Sequence, residues 1–180
     1  SGLAIVGLAF GPDGALYGAD WDGGYPLDEK GAVIRIDVAE EQSPERQEVQ
    51  SLLQHGFTEL EQRELVGLLG HEDMRVRMRA QFELVSRGDA YSLAATARDT
   101  SAKTLARLHG VWGLGQLSRQ GETFARDTLG LLLADMDVHV RRQSAKTYGE
   151  LHQAYGTALM KLLSDDDAQV RTLAGLAISR

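Results

Sequence analysis

The sequence predicts a mainly α fold: an α-α superhelix of stacked helix pairs, with a small antiparallel β meander at its N-terminus. Three observations carry that prediction. A pattern of acidic turn, valine, arginine and small residue recurs about every 30 residues. Leucines spaced i, i+3, i+4 precede most copies. Residues 3 to 38 instead show short β-type runs punctuated by glycine.

The meander comes first. Leu3 to Phe10 reads as a strand, Gly11-Pro12-Asp13-Gly14 as a turn, and Ala15 to Trp21 as a second strand. Proline presets φ in that turn and glycine accepts positive φ. Asp22 to Pro26 breaks the chain, and Gly31 to Val38 forms a third strand. Three strands alone are marginal and leave unpaired edges. Their apolar residues (Leu8, Phe10, Leu16, Tyr17, Val33, Ile36) therefore need cover. Pairing edge to edge with a second chain, as a homodimer, is expected ahead of folding onto the first helices.

Ala39 to Gln42 is an acidic hinge. Ser43-Pro44 starts a helix, serine as N-cap and proline at the first position, which should run to His55 and stop at Gly56. Thr58-Glu59-Leu60-Glu61 reads as a capping box for the next helix. Further stops are expected at Gly88, Gly121 and Gly156, with about nine helices after residue 42. The organisation is then residues 1–38 as meander, 39–57 as hinge and linking helix, and 58–180 as helical repeats.

Within the repeats, Arg77, Arg107, Arg141 and Arg171 are spaced by 30, 34 and 30 residues. The residue before each is Val76, Ala106, Val140 or Val170; four further on stand Ala80, Gly110, Ser144 and Ala174, all small. Eight further on stand Leu84, Leu114, Tyr148 and Ile178. These positions share one helical face, and the small residue lets a neighbouring helix come close. Leu65/Leu68/Leu69, Leu129/Leu132/Leu133 and Leu159/Leu162/Leu163 form the stripes of the preceding helices. The second copy departs from this, with Ala95, Arg98 and Asp99 in those slots. Each unit is a helix, an acidic turn and a second helix, and must stack to bury its stripes.

The repeated stretch from Thr58 to Arg180 resembles short HEAT repeats of about 30 residues. The resemblance implies a ladder of hydrogen bonds between turn acids and arginines. The matching residues are Asp135 or Asp137 with Arg141, and Asp165 or Asp167 with Arg171. Asp73 with Arg77 matches less fully, since His71 replaces the first acid; around Arg107 the acid slots hold Ser101 and Lys103, which argues against a rung there. Phe10-Gly-Pro-Asp-Gly-Ala-Leu-Tyr17 with Ala19-Asp20-Trp21 is similar to the last blade of a sugar-dehydrogenase-like β-propeller. Large exported bacterial proteins join such a propeller to HEAT-like repeats and a c-type cytochrome domain. That resemblance implies an extracytoplasmic, periplasmic setting. The chain, opening on Ser1 in mid-strand and ending on Arg180 in a helix, reads as a piece of such a protein.

Composition narrows the function classes. With 26 acids against 19 Lys and Arg, the net charge is −7, which disfavours a nucleic-acid partner. Cysteine is absent, so there is no thiol nucleophile, thiolate metal site or haem attachment. Ser1 to Phe10 is too short to span a bilayer. Asp13, Asp20 and Asp22 beside glycines do not follow a calcium-loop spacing and are read as turn residues. His55, His71, His109, His139 and His152 lack zinc-helix spacing, and His139 is expected to face solvent. Gly110-Val111-Trp112-Gly113-Leu114-Gly115 lies within a predicted helix, which favours close packing over dinucleotide binding. Trp21 and Tyr25 are read as packing residues.

The sequence thus predicts no catalytic residues and no cofactor in this chain. The leading reading is a scaffold that holds neighbouring domains or a partner protein. The alternative is a segment of a propeller-type sugar or alcohol oxidoreductase whose cofactor and haem sites lie in other parts of the protein.

Overall fold

The computed structural model describes residues 4–21, 31–38, 43–151 and 157–179. The fold is mainly α with one three-stranded antiparallel sheet near the N-terminus. The chain divides into two compact units, Ser1–Gly56 and Phe57–Arg180.

The first unit holds β1 (Ile5–Phe10), β2 (Leu16–Asp20), β3 (Ala32–Ile36) and α1 (Pro44–His55). The strands pair in the order β1-β2-β3, with Phe10 opposite Leu16 opposite Ile36 and Leu8 opposite Gly18 opposite Ile34. Directly opposed residues share a sheet face, so Leu8, Phe10, Leu16, Ile34 and Ile36 line one side. The register of β1 on β2 shifts between Ile5 and Gly7. In the β1–β2 turn, Gly14 takes φ 73° and donates to the Gly11 carbonyl. The Asp13 carboxylate accepts from Ala15 N–H, from the Tyr17 hydroxyl and from Arg35 Nε. Asp13 is thus a turn organiser.

Helix α1 starts and stops where its caps predict: Ser43 Oγ accepts from Arg46 N–H, and Gly56 follows at φ 83°. It belongs to the same compact unit as the sheet. The reason is Arg46, whose guanidinium grips Asp37 through both nitrogens (2.6 and 2.9 Å) and donates from Nε to the Asp13 carbonyl at 2.7 Å. Arg46 pulls the Asp37 carboxyl down to about 2.

The second unit holds α2 (Gln62–Leu68), α3 (Met74–Ser86), α4 (Ala90–Arg98), α5 (Thr104–Arg119), α6 (Thr123–Leu132), α7 (Val138–Gly149), α8 (Thr157–Leu162) and α9 (Ala168–Ile178). The second helices follow one another: α3 packs on α5, α5 on α7, and α7 on α9. On the other side α2 touches α4 and α4 touches α6. Val76, Val140 and Val170 are wholly buried, as are Ala80, Ser144 and Ala174 four residues on. Leu65, Leu69, Leu129, Leu133 and Leu159 of the expected stripes are buried, each worth about 1.5–3 kcal/mol of apolar burial. Leu163 departs from its expected core position and is exposed.

Helix α2 begins at Gln62, not after Thr58. Glu64 reaches back to the Glu61 N–H at 2.7 Å, shifting the expected cap by one turn. The carbonyls of Phe57, Thr58 and Leu60 are instead taken by the Arg87 guanidinium. Gly88 and Gly121 end α3 and α5 with positive φ; Gly156 lies outside the described residues. The glycines of α5 serve close approach, since a Cβ on Gly110 would stand 2.7 Å from the Leu93 carbonyl oxygen of α4.

Candidate functional site

Three of the four repeated arginines do one local job in common. In each of these three, Nη1 spans two successive carbonyls of the turn that starts its own helix. Arg77 takes His71 and Glu72 (2.7 and 2.8 Å), Arg141 takes Asp135 and Met136 (2.9 and 3.1 Å), and Arg171 takes Asp165 and Asp166 (2.7 and 3.0 Å). A planar guanidinium suits this fork. Arg107 differs, donating from Nε to the Ala97 carbonyl at the end of α4.

The charged partner comes from the next unit. Arg107 Nη2 lies 2.6 Å from Asp135 Oδ2, and Arg141 grips Asp165 through Nε and Nη2 at 2.8 and 3.1 Å. The rung at Arg107 therefore exists despite Ser101 and Lys103 in its own turn. The acid it uses stands 28 residues on, which its own turn does not disclose. Arg141 meets Asp135 only at the backbone, and Arg171 has no carboxylate partner among the described residues.

The other turn acids serve differently from the expected ladder. Asp73, Asp137 and Asp167 are N-caps, accepting from the N–H of Arg75, His139 and Val170. Asp73 also holds the Arg75 guanidinium instead of Arg77, and Asp137 accepts from Thr104 Oγ1. Asp167 pairs with Arg142, adding a second crossing between α7 and the last unit. Those partners hold Asp165 and Asp167 below the ordinary carboxylate range. His71 substitutes for the missing first acid locally: its Nδ1 accepts from the Asp73 N–H, as Asp135 and Asp165 accept two residues on.

A buried polar chain runs between the second helices. Arg77 Nε donates to His109 Nε2 at 3.3 Å, His109 Nδ1 meets Gln81 Oε1 at 2.7 Å, and Gln81 Nε2 donates to Gln116. The first bond requires an unprotonated Nε2, so the ring is neutral with its proton on Nδ1. Burial, with Arg77 beside it, lowers the His109 pKa to about 4. The Trp112 ring meets the His109 ring edge-on and its Nε1 donates to Gln143 of α7. Sequence reading missed this chain; glutamines at apolar positions of the second helices were the available signal.

The remaining histidines do not converge. No group of three or more His, Cys, Asp or Glu gathers as a metal site among the described residues. His139 is exposed at the start of α7, and His55 bonds its own helix at the Ser51 carbonyl. Trp21 is exposed, while Asp22, Tyr25 and His152 lie outside the described residues. No helix among the described residues is long and apolar enough to cross a membrane. In comparison with known proteins, no family model and no curated sequence matches the chain.

Proposed function

We propose that this chain is a non-catalytic scaffold. Its helix pairs form a HEAT-like α-α superhelix whose surface holds neighbouring domains or a partner protein. The observation that supports this is the use made of the charges. Arg107–Asp135, Arg141–Asp165 and Arg142–Asp167 each join one unit to the next, so the side chains best suited to chemistry are spent on continuity. Function then falls to the surface the units share. A protein partner suits a net charge of −7 better than a nucleic acid does. No cofactor is assigned to the chain, and an extracytoplasmic setting follows from the resemblance.

Photo-crosslinking in the producing cells tests the reading. A photoreactive phenylalanine analogue at Phe82, exposed on α3, should capture one discrete partner or neighbouring domain. The same group at Leu131 on α6 should capture none. Diffuse adducts from both positions, or none from either, contradict the scaffold role.

The second reading, a segment of a propeller-type sugar or alcohol oxidoreductase, is favoured by one observation. Every residue of β1 is exposed, although four of the six are Ile, Val, Leu or Phe. A sheet face of that kind fits a blade covered by neighbouring blades. An open reading frame around the chain with further blades upstream and Cys-x-x-Cys-His downstream is the expected result of this reading. A frame lacking both removes it.

A further inference from the structure

Charge is segregated between the helices and the turns. Helices α3, α5, α7 and α9 carry nine of the chain's 19 Lys and Arg but only one of its 26 acids, Glu83. That one is held by Arg87. The other acids lie in turns, in first helices and in the N-terminal unit. Most second-helix arginines are engaged as described, but Arg79 and Lys146 are exposed and meet no carboxylate among the described residues.

The same helices expose apolar surface in register. On α3, Met74, Met78 and Phe82 stand at i, i+4 and i+8, exposed by 59%, 38% and 44%. That spacing puts them on one face. Phe82 corresponds, six places after the repeated valine or alanine, to Trp112 on α5 and Lys146 on α7. The bonds from Gln81 to His109 and from Trp112 to Gln143 show that α3, α5 and α7 lie side by side in matching orientation. The result is a face with aromatic and thioether side chains, cationic margins and almost no acid.

We infer that this face binds an acidic amphipathic helical segment of a partner protein. The inference rests on the scaffold reading and assigns its partner's chemistry. Apolar side chains of the segment seat on Met78, Phe82 and Trp112, where rigid aromatics anchor and thioethers adapt to shape. Its carboxylates meet Arg79 and Lys146, which supply the charge complementarity. A nucleic acid would also satisfy the cations but leaves the Met74–Met78–Phe82 stripe without a matched surface.

The chain has four methionines, two on this face (Met74, Met78) and two elsewhere (Met136, Met160). Methyl-labelled methionine NMR of the full chain therefore carries its own control. The probes are three peptides of about 18 residues sharing one Leu/Phe helical stripe, with the other positions Glu, Lys or Gln, plus a single-stranded DNA oligomer. The Glu peptide is expected to shift Met74 and Met78 saturably and leave Met136 and Met160 in place. The Arg79→Glu, Lys146→Glu double variant, changed only at exposed positions, should weaken that binding at least about tenfold. Equal or tighter binding of the Lys or Gln peptide overturns the acidic partner while leaving a protein-binding face. DNA moving the methyls where the peptides do not overturns the inference and the protein partner together. If no probe moves Met74 and Met78, the inference is wrong, and the crosslinking result alone then speaks for or against the scaffold.

Discussion

Arg107, Arg141 and Arg171 hold equivalent places in the repeat but meet different surroundings, and the cost of removing them should follow. The Arg107 side chain is 4% exposed and its partner Asp135 is 10% exposed, so Arg107→Ala strands a buried carboxylate and should cost about 3–5 kcal/mol. Arg141, more accessible, should cost about 1–3 kcal/mol. Among the described residues Arg171 bonds only exposed carbonyls, and its removal should cost under about 1 kcal/mol. Urea midpoints of the three alanine variants give the order; Arg171→Ala matching Arg107→Ala would remove the rung assignment. Arg35 bridges Asp13 and Asp37 but stays 47% exposed, so Arg35→Ala should move the urea midpoint less than Arg107→Ala does. The arginine positions were legible from their period. Their partners were not, because a one-dimensional pattern shows which face a side chain leaves from but not which unit's carboxylate lies within reach.

His109 adds a pH dependence with a definite sign. Its folded pKa is depressed to about 4, while the unfolded ring titrates near its ordinary 6.5. As pH falls below 6.5 the unfolded state binds a proton that the folded state refuses. Stability should therefore decline between about pH 6.5 and 4 and level off below, by up to about 3 kcal/mol. Carboxylates such as Asp165, held low by Arg141, act separately: their contribution is present above the unfolded value near 3.8 and is lost below it. His109→Gln should flatten the 6.5-to-4 slope and leave the lower one. An unchanged slope in that variant means the ring titrates in solvent or not at all.

At the scale of the elements, close approach and helix propensity make opposite predictions for two glycines. Gly110 faces α4 with the Leu93 carbonyl oxygen and Ala97 within 3.0 Å of an added Cβ, so Gly110→Ala should push α4 and α5 apart and cost about 1–3 kcal/mol. Gly67, inside α2, has nothing within 4 Å, so Gly67→Ala should stabilise by about 0.5–1 kcal/mol. Thermal melts of the two variants should move in opposite directions; movement of both in one direction rules out the α4–α5 contact as drawn. The leucine stripes made the helices readable, since three apolar residues per two turns define a buried face wherever the partner lies. The start of α2 was less readable. Thr58 and Glu61 have the right chemistry for a cap, but Arg87, 27 to 30 residues away, claims the carbonyls of that turn. The polar chain through His109 was unreadable for a similar reason: each member looks like an interruption of an apolar face until the neighbouring helix supplies its bond.

At the scale of the whole molecule, the N-terminal sheet and the helical units make separate demands. The sheet leaves Leu8 and Phe10 exposed by 60% and 67% on one face. We expect the chain to self-associate through these strands, and Leu8→Lys with Phe10→Lys to return it to monomer. Light scattering across a concentration series checks this; a strict monomer in the unsubstituted chain contradicts it. The scaffold account asks something else: that consecutive helix pairs be energetically coupled, so that one continuous surface exists for a partner. A double-mutant cycle on Arg141→Ala and Asp165→Ala measures that coupling directly, with the half-buried Arg126 and its exposed neighbour Asp127 as control pair. The account predicts a coupling of at least about 1 kcal/mol between Arg141 and Asp165 and close to zero for the control. Additive effects at Arg141 and Asp165, indistinguishable from the control, would contradict it.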